Sequence, residues 1–137
     1  MTVYLDANVI IALLIEDGLS ARAAAAVGAL SEPILVSDLA ALEYASAVAR
    51  RARSGAISAK AAREAFSDFD FWALQANRVE SGAGDITAAD AIVRRLDINL
   101  HGADALHVAI ASRLGARLLT LDAKMKANAK KVGVAVV

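Results

Sequence analysis

Short apolar runs alternate along the 137-residue chain with longer segments of helical periodicity. Strands are predicted over residues 3–5, 34–36 and 118–121, with weaker strands over 77–80 and 134–137. The runs over 34–36 and 118–121 are short and continuous, which is typical of buried strands in a parallel sheet. Helices are predicted over residues 8–15, 20–30, 39–53, 58–74, 87–96, 103–114 and 123–131.

The alternation of strands and helices predicts an α/β fold. We expect a three-layer sandwich around a mainly parallel central sheet of four to five strands. No glycine-, proline- or serine-rich linker divides the chain, whose single proline is Pro33. Residues 1–137 are therefore predicted to form a single domain, with its functional groups at the carboxyl ends of the strands.

Alanine accounts for much of the apolar composition. The hydrophobic fraction is 58%, but 34 residues are alanine, which favours helix. The longest fully apolar run has seven residues, whereas a membrane-spanning helix needs about 20. The chain also starts without the basic stretch of a signal peptide, and it has no cysteine for disulfides or thiolate metal sites. We therefore expect a soluble cytoplasmic protein that does not bind membranes.

Two predicted strands are followed by an aspartate. Asp6 follows the first strand, and Asp122 follows the strand over 118–121. If both strands are parallel, the two carboxylates lie at one edge of the sheet. The alternative for each is an N-cap on the helix that follows, which is the commonest role of an aspartate at such a position.

Two further acids lie on predicted helices with apolar surroundings. The neighbours of Glu43 at three and four residues' distance are apolar or small, so its carboxylate needs a metal ion or a distant basic side chain. Asp104 begins a helix that is otherwise almost entirely apolar. Its carboxylate either complements the helix dipole or points to the edge of the core near the strand ends.

These four carboxylates are predicted to converge on one pocket. Two such charges about 4 Å apart repel by roughly 4 kcal/mol at an effective dielectric near 20, so the cluster has to take up protons or bind a hard cation. Oxygen ligands favour Mg²⁺ or Mn²⁺ over zinc. One or two such ions can position a phosphodiester and activate water, so the predicted chemistry is phosphodiester hydrolysis.

Four segments resemble, in order and spacing, the motifs of PIN-domain nucleases. They are Tyr4-Leu5-Asp6-Ala7-Asn8-Val9-Ile10, Ser37-Asp38-Leu39-Ala40-Ala41-Leu42-Glu43, Asp104-Ala105-Leu106-His107-Val108-Ala109 and Leu119-Thr120-Leu121-Asp122. The resemblance covers the whole chain. Its size and its third motif are similar to those of the VapC-type toxins of prokaryotic toxin–antitoxin pairs.

The resemblance implies a metal-dependent endoribonuclease that acts on RNA and is restrained by a cognate antitoxin protein. It also implies a homodimer. The implied cofactor is one or two Mg²⁺ ions, with Mn²⁺ as the alternative. The resemblance assigns the catalytic and metal-binding roles to Asp6, Glu43, Asp104 and Asp122.

The first and last motifs also contain polar residues that would orient these ligands. The resemblance implies that Asn8 orients Asp6 and that Thr120 orients Asp122. Ala7 departs from the family, which often has a hydroxyl residue at this position. The departure affects the detailed metal geometry rather than the class of protein.

Several other residues have two interpretations. His107 is expected to be a buried histidine hydrogen-bonded to a neighbour, with a metal or acid–base role as the alternative. Lys124 and Lys126 are either contacts to RNA phosphates or part of a solvated face. The helix over 39–53 ends in three arginines that either complement the helix dipole or contact RNA: Arg50, Arg51 and Arg53.

The helix over 58–74 contains four of the six aromatic residues. Phe66 and Phe69 continue a stripe of alanines and are predicted to pack in the core. Phe71 and Trp72 point elsewhere, and we interpret them as an exposed patch for dimerisation or antitoxin binding.

Polar residues around the following helix indicate a capped, solvated surface. Thr87 and Asp90 are spaced as a capping box at the start of the helix over 87–96. Asp85, Asp90 and Asp97 are predicted to be solvated or capping.

Two other function classes remain open. A catalytically silent PIN-like module would bind RNA or protein without cleaving RNA. A response-regulator receiver or a haloacid-dehalogenase-like phosphatase also gathers aspartates at strand ends. The phosphatase normally has Asp-x-Asp after its first strand, where this chain has Asn8, and neither class accounts for Glu43.

Overall fold

The computed structural model describes residues 1–15 and 17–137. The helices in this part of the chain are Ala7–Leu14 (α1), Ser20–Gly28 (α2), Asp38–Arg53 (α3), Ala59–Ala73 (α4), Ala83–Val93 (α5), Gly102–Arg113 (α6) and Ala123–Lys131 (α7). The strands are Val3–Leu5 (β1), Ile34–Ser37 (β2), Asn77–Val79 (β3) and Arg117–Leu119 (β4). None of these helices is long and apolar enough to cross a membrane.

The four strands form one parallel sheet in the order β3-β2-β1-β4. β1 is central, and its Tyr4 lies opposite Leu35 of β2 and Leu118 of β4. Because the strands are parallel, the segments that follow β1, β2 and β4 all leave from the same edge. That edge carries Asp6, the start of α3 and the segment 120–122.

The sheet lies between two layers of helices because alternate strand residues point to opposite faces. Val3 and Leu5 pack with residues of α1 to α4, whereas Tyr4 and Leu118 pack with residues of α5 to α7. This arrangement confirms the three-layer α/β sandwich with a parallel central sheet that the sequence predicts.

The last two predicted strands are shorter than expected. β4 ends at Leu119, two residues early, and beyond its end the Leu121 N–H donates to the side-chain oxygen of Asn8 at 3.1 Å instead of to another strand. The strand predicted over 134–137 is reduced to a single bridge between Leu118 and Val136. The sheet therefore has four strands, the lower of the two predicted numbers.

Helix α5 begins four residues before its predicted start, at Ala83. The Asp85 carboxylate accepts a hydrogen bond of 2.9 Å from the Gly82 N–H, a backbone group at the helix start that has no partner within the helix. This hydrogen bond favours a helix start at Ala83. Thr87 and Asp90 consequently lie inside the helix, and the capping box predicted for them is wrong. Gly82 is the N-cap of α5, and Asp85, at the third position of the helix, contributes to the capping through its carboxylate. Asp85 is only 2% exposed, so it is not solvated.

The aromatic helix α4 differs from the prediction at two positions. Phe69 is buried and stacks on Tyr44 with 4.9 Å between ring centroids. Trp72 lies one turn after Phe69, so it packs against the same core, and its predicted exposure is wrong. Phe66 lies at the rim and is 36% exposed, not packed inside, while Phe71 is exposed as predicted.

Candidate active site

Asp6 occupies the end of the central strand and is only 4% exposed. It stands at the N-cap position of α1, but its side chain makes no capping hydrogen bond. Instead, its Oδ2 accepts a hydrogen bond of 2.8 Å from the Thr120 hydroxyl, and its Oδ1 lies 3.5 Å from Nε2 of His107. The N-cap alternative therefore does not describe this carboxylate.

The environment of Asp6 disfavours its charged form. Burial raises the pKa of the Asp6 carboxyl above its ordinary value, and the charges of Glu43 and Asp104 raise it further. His107 and the hydrogen bond from Thr120 act in the opposite direction. Three of the four acids singled out in the sequence therefore lie within electrostatic range of one another.

Asp104 connects the fourth acid to this group. It is half-buried in the first turn of α6. Burial raises the pKa of the Asp104 carboxyl, and the charges of Asp122 and Glu43 add to this effect. The four acids thus form one electrostatically coupled group at the carboxyl edge of the sheet, contributed by four separate segments.

Glu43 lies in the second turn of α3 with 34% of its side chain exposed. Its Oε1 lies 2.5 Å from Nε2 of His107 on α6. The partner that its apolar surroundings demand is therefore this histidine. His107 is fully buried, and its Nδ1 lies 2.6 Å from the Tyr4 hydroxyl, which confirms the expectation of a buried, hydrogen-bonded histidine.

Asp122 combines two roles. Its Oδ1 accepts hydrogen bonds from the N–H groups of Lys124 and Met125, at 2.9 and 3.2 Å, so it is the N-cap of α7. Its charge nevertheless raises the pKa of Asp104. The capping alternative is correct for this acid, and it leaves Oδ2 outside the capping hydrogen bonds.

Asn8 and Thr120 form a supporting pair behind Asp6. The Asn8 amide donates to the Thr120 hydroxyl oxygen at 3.1 Å, and that hydroxyl donates to Asp6. Asn8 therefore acts on Asp6 through Thr120. Thr120 contacts Asp122 by accepting a hydrogen bond of 3.1 Å from its backbone N–H.

The basic residues singled out in the sequence lie on two helices. Lys124 is exposed and Lys126 half-buried in the first turn of α7, beside Asp122, and neither forms an ion pair within residues 1–15 and 17–137. At the far end of α3, a cavity of about 310 Å³ is lined by Ile11, Ala47, Arg50 and Arg51.

The donor set at this edge suits a hard divalent cation. It consists of carboxylate oxygens, which are the ligands that such cations prefer. Burial and neighbouring carboxylates raise the pKa values of two of these groups, Asp6 and Asp104. A bound cation would relieve the repulsion between the carboxylates. Among the residues that the structure describes, no three acidic or histidine side chains stand close enough together to form a complete metal site. A complete cation site would thus require Asp104 and Asp122 to approach the pair of Asp6 and Glu43, which both contact His107.

The sequence analysis did not identify two members of the site, Tyr4 and Ser37, as functional residues. Tyr4 lies between His107 and Ser37, 2.7 Å from the Ser37 hydroxyl, and all three side chains are fully buried. The available signal is that a buried tyrosine in an apolar strand needs a polar partner for its hydroxyl. Spacing alone does not reveal which residue that partner is.

A comparison with protein-family models agrees with this architecture. The model described as "PIN domain" matches residues 3–131, nearly the whole chain. The chain belongs to the PIN domain family. A search of curated proteins finds no match.

Solved structures similar to this PIN domain include VapC20 of Mycobacterium tuberculosis, described as a toxin that cleaves the sarcin–ricin loop. The TM-score is 0.75 at 17% identity, and 98% of each chain is covered. For VapBC2 from Rickettsia felis, solved with a DNA fragment from its promoter, the TM-score is 0.71 at 14% identity, covering 99% of this chain and 96% of that one. For a toxin–antitoxin complex from Klebsiella pneumoniae, the TM-score is 0.68 at 17% identity, covering 91% of this chain and 90% of that one. At these identities the comparison establishes a shared fold.

Proposed function

We propose that this PIN domain is a metal-dependent endoribonuclease, the toxin of a type II toxin–antitoxin pair. The observation that carries the proposal is that carboxylates gather at the carboxyl edge of the sheet: Asp6 and Glu43 lie 3.5 and 2.5 Å from the same nitrogen of His107. The raised pKa values of Asp6 and Asp104, to which the neighbouring carboxylates contribute, agree with this arrangement. The family membership and the resemblance to VapC structures support it. The capping role of Asp122 and the contact of Glu43 with His107 do not explain why Asp6 and Asp104 are buried beside further carboxylates, and a bound cation would explain it.

In this proposal Asp6, Glu43, Asp104 and Asp122 hold one or two Mg²⁺ or Mn²⁺ ions. A bound ion would supply the positive charge that neutralises the phosphate and activates a water molecule. Thr120 fixes the orientation of the Asp6 carboxylate through its 2.8 Å hydrogen bond. Carboxylate oxygens of the cluster that are not committed to hydrogen bonds accept the proton of the attacking water.

The biological setting is the second part of the proposal. One similar structure is a toxin–antitoxin complex and another is a toxin described as cleaving the sarcin–ricin loop. We extend those roles to this chain: RNA is its substrate, an antitoxin encoded beside it is its inhibitor, and it acts in the cytoplasm as a homodimer. Production of the chain in a bacterial host should arrest growth, and co-production of the neighbouring antitoxin should relieve the arrest.

RNA cleavage by the purified chain tests the enzymatic part. Wild-type protein should cleave a labelled RNA with Mg²⁺ and lose this activity in EDTA. Asp6→Asn and Asp104→Asn should abolish cleavage without unfolding, because asparagine keeps the shape and a hydrogen-bond acceptor while removing the buried charge. Asp90→Asn is the matched control, since Asp90 is exposed on α5 and pairs with Arg94, the residue that follows this helix.

Full Mg²⁺-dependent cleavage by either asparagine variant would contradict the proposal. RNA binding without cleavage by the wild-type protein would instead support the catalytically silent module. Circular dichroism melting curves of each variant, recorded beside the activity assay, separate a lost active site from a lost fold.

A further inference from the structure

His107 is shared by two of the four acids. Its Nε2 lies 2.5 Å from Oε1 of Glu43 and 3.5 Å from Oδ1 of Asp6. The ring is fully buried on α6, while the two acids belong to α3 and to the end of β1. One nitrogen therefore contacts two carboxylates that are 37 residues apart in the chain.

For a neutral imidazole, the hydrogen-bond partners assign the proton positions. Nε2 faces two carboxylates and has to donate, so in the neutral ring Nδ1 is an acceptor. The Tyr4 hydroxyl, 2.6 Å away, donates to it. The Ser37 hydroxyl in turn donates to the Tyr4 oxygen at 2.7 Å.

The series of donors begins and ends on the same helix. Ser37 is the N-cap of α3, and its Oγ accepts a hydrogen bond of 3.0 Å from the Ala40 N–H, which leaves its own hydrogen free to donate to Tyr4. From Ser37 the donors run through β1 and α6 back to Glu43 on α3. We call these four side chains, Ser37, Tyr4, His107 and Glu43, the histidine circuit.

Burial makes this circuit rigid. Ser37, Tyr4 and His107 are each 0% exposed, so no water competes for their hydrogen bonds. Every member has a partner, and within residues 1–15 and 17–137 no buried side-chain polar atom is left unsatisfied. A rotation of the imidazole ring would break two hydrogen bonds inside the core.

We propose that His107 is a positioning residue, oriented by Tyr4 and Ser37, that holds the Glu43 carboxylate beside Asp6 for a divalent cation. The inference rests on the proposed function and names residues that support its metal site. Only Oε1 of Glu43 is engaged by His107, so Oε2 remains for the cation. Outer partners that orient a metal ligand in this way typically change metal affinity about 10- to 100-fold when they are removed.

Mn²⁺ binding to the purified chain tests the proposal. Isothermal titration calorimetry should give a dissociation constant raised about 10-fold or more by Tyr4→Phe, which removes the donor to Nδ1, and by His107→Leu, which removes the donor to Glu43. His107→Gln should restore part of the affinity, because its amide can donate to Glu43. Tyr44→Phe is the matched control: Tyr44 is equally buried and its hydroxyl donates to the Ala65 carbonyl, away from the circuit.

Thermal melting in EDTA shows that each variant is folded, and ¹⁵N NMR of the imidazole reports the proton position. The wild-type ring should carry its proton on Nε2. Affinities of Tyr4→Phe and His107→Leu within twofold of the wild-type value would overturn the inference, as would an equal loss in Tyr44→Phe. Wild-type protein that binds no Mn²⁺ would overturn both this inference and the metal centre, so the two failures are distinguishable.

Discussion

Thr120 is the residue on which the support of the site depends most directly. Its hydroxyl donates to Asp6 and accepts hydrogen bonds from the Asn8 amide and the Asp122 N–H. The side chain is 6% exposed, so water does not replace these contacts. One hydroxyl thus joins the ends of β1 and β4 and the start of α7.

We expect Thr120→Val to weaken both the fold and the activity. Valine has the same shape but leaves two partly buried donors and one buried carboxylate oxygen of Asp6 without their partner. Such a loss costs about 1–3 kcal/mol in the free energy of unfolding. Urea denaturation and RNA cleavage measure the two effects. The matched control is Thr87→Val, because the Thr87 hydroxyl is exposed on α5 and its removal should change stability and activity very little. Equal losses in both variants would contradict the role of Thr120.

The chemistry of single residues was only partly predictable. The strand-end positions of Asp6 and Asp122 follow from the sequence, because a short apolar run followed by an acid fixes them locally. The partner of Glu43 does not, because it lies 64 residues away on another helix. The contact between Tyr4 and His107 spans 103 residues, so it depends on the packing of β1 against α6, which no local pattern encodes.

At the scale of elements, helix α7 presents a basic first turn beside the acids. Its N-terminus is fixed by Asp122, which places Lys124 and Lys126 next to the carboxylate edge. The same helix ends in Lys130 and Lys131, more than a turn further along. A comparison of these two lysine pairs therefore distinguishes a specific contact to RNA beside the acids from a general attraction of RNA to a basic helix.

We expect the double variant Lys124→Ala, Lys126→Ala to weaken RNA binding. Each lost phosphate contact should reduce the slope of log affinity against log salt by about 0.7 for single-stranded RNA. Fluorescence anisotropy with a 2′-O-methyl RNA at several salt concentrations measures it, and gel electrophoresis after each titration checks that the RNA is intact. The double variant Lys130→Ala, Lys131→Ala removes the same charge, and an equal effect from it would rule out a specific contact.

Element boundaries show where sequence patterns stop being informative. The start of α7 was predicted to the residue, because Asp122 is a local cap. The start of α5 was missed because the acid that caps it, Asp85, is also held by Arg113 of α6, with 2.7 Å between the paired atoms. That ion pair depends on the contact between two helices, so Thr87 and Asp90 gave a misleading local signal.

At the scale of the whole molecule, the net charge of zero is the sum of two opposed regions. Four of the 15 acids belong to the carboxylate edge, which leaves 11 acids against 15 basic residues elsewhere. The remainder of the chain therefore has a formal excess of four positive charges. Such a distribution permits RNA binding once the acids are neutralised, although the total charge argues against it.

Removal of divalent ions should therefore weaken RNA binding by several-fold. The affinity for the 2′-O-methyl RNA, compared in Mn²⁺ and in EDTA at matched ionic strength, measures this effect. The Asp104→Asn variant should be less sensitive to EDTA, because one of the repelling charges is already gone. Equal or tighter binding by the wild-type chain in EDTA would show that the acids do not oppose the RNA.

The most direct test of a divalent-ion site is a crystal of the wild-type chain soaked in Mn²⁺. An anomalous difference map recorded at the manganese edge should show a peak among Asp6, Glu43, Asp104 and Asp122, at about 2.0–2.6 Å from their oxygens. A map at saturating Mn²⁺ with no peak among these four carboxylates, or with the peak elsewhere on the molecule, would contradict the proposed metal centre.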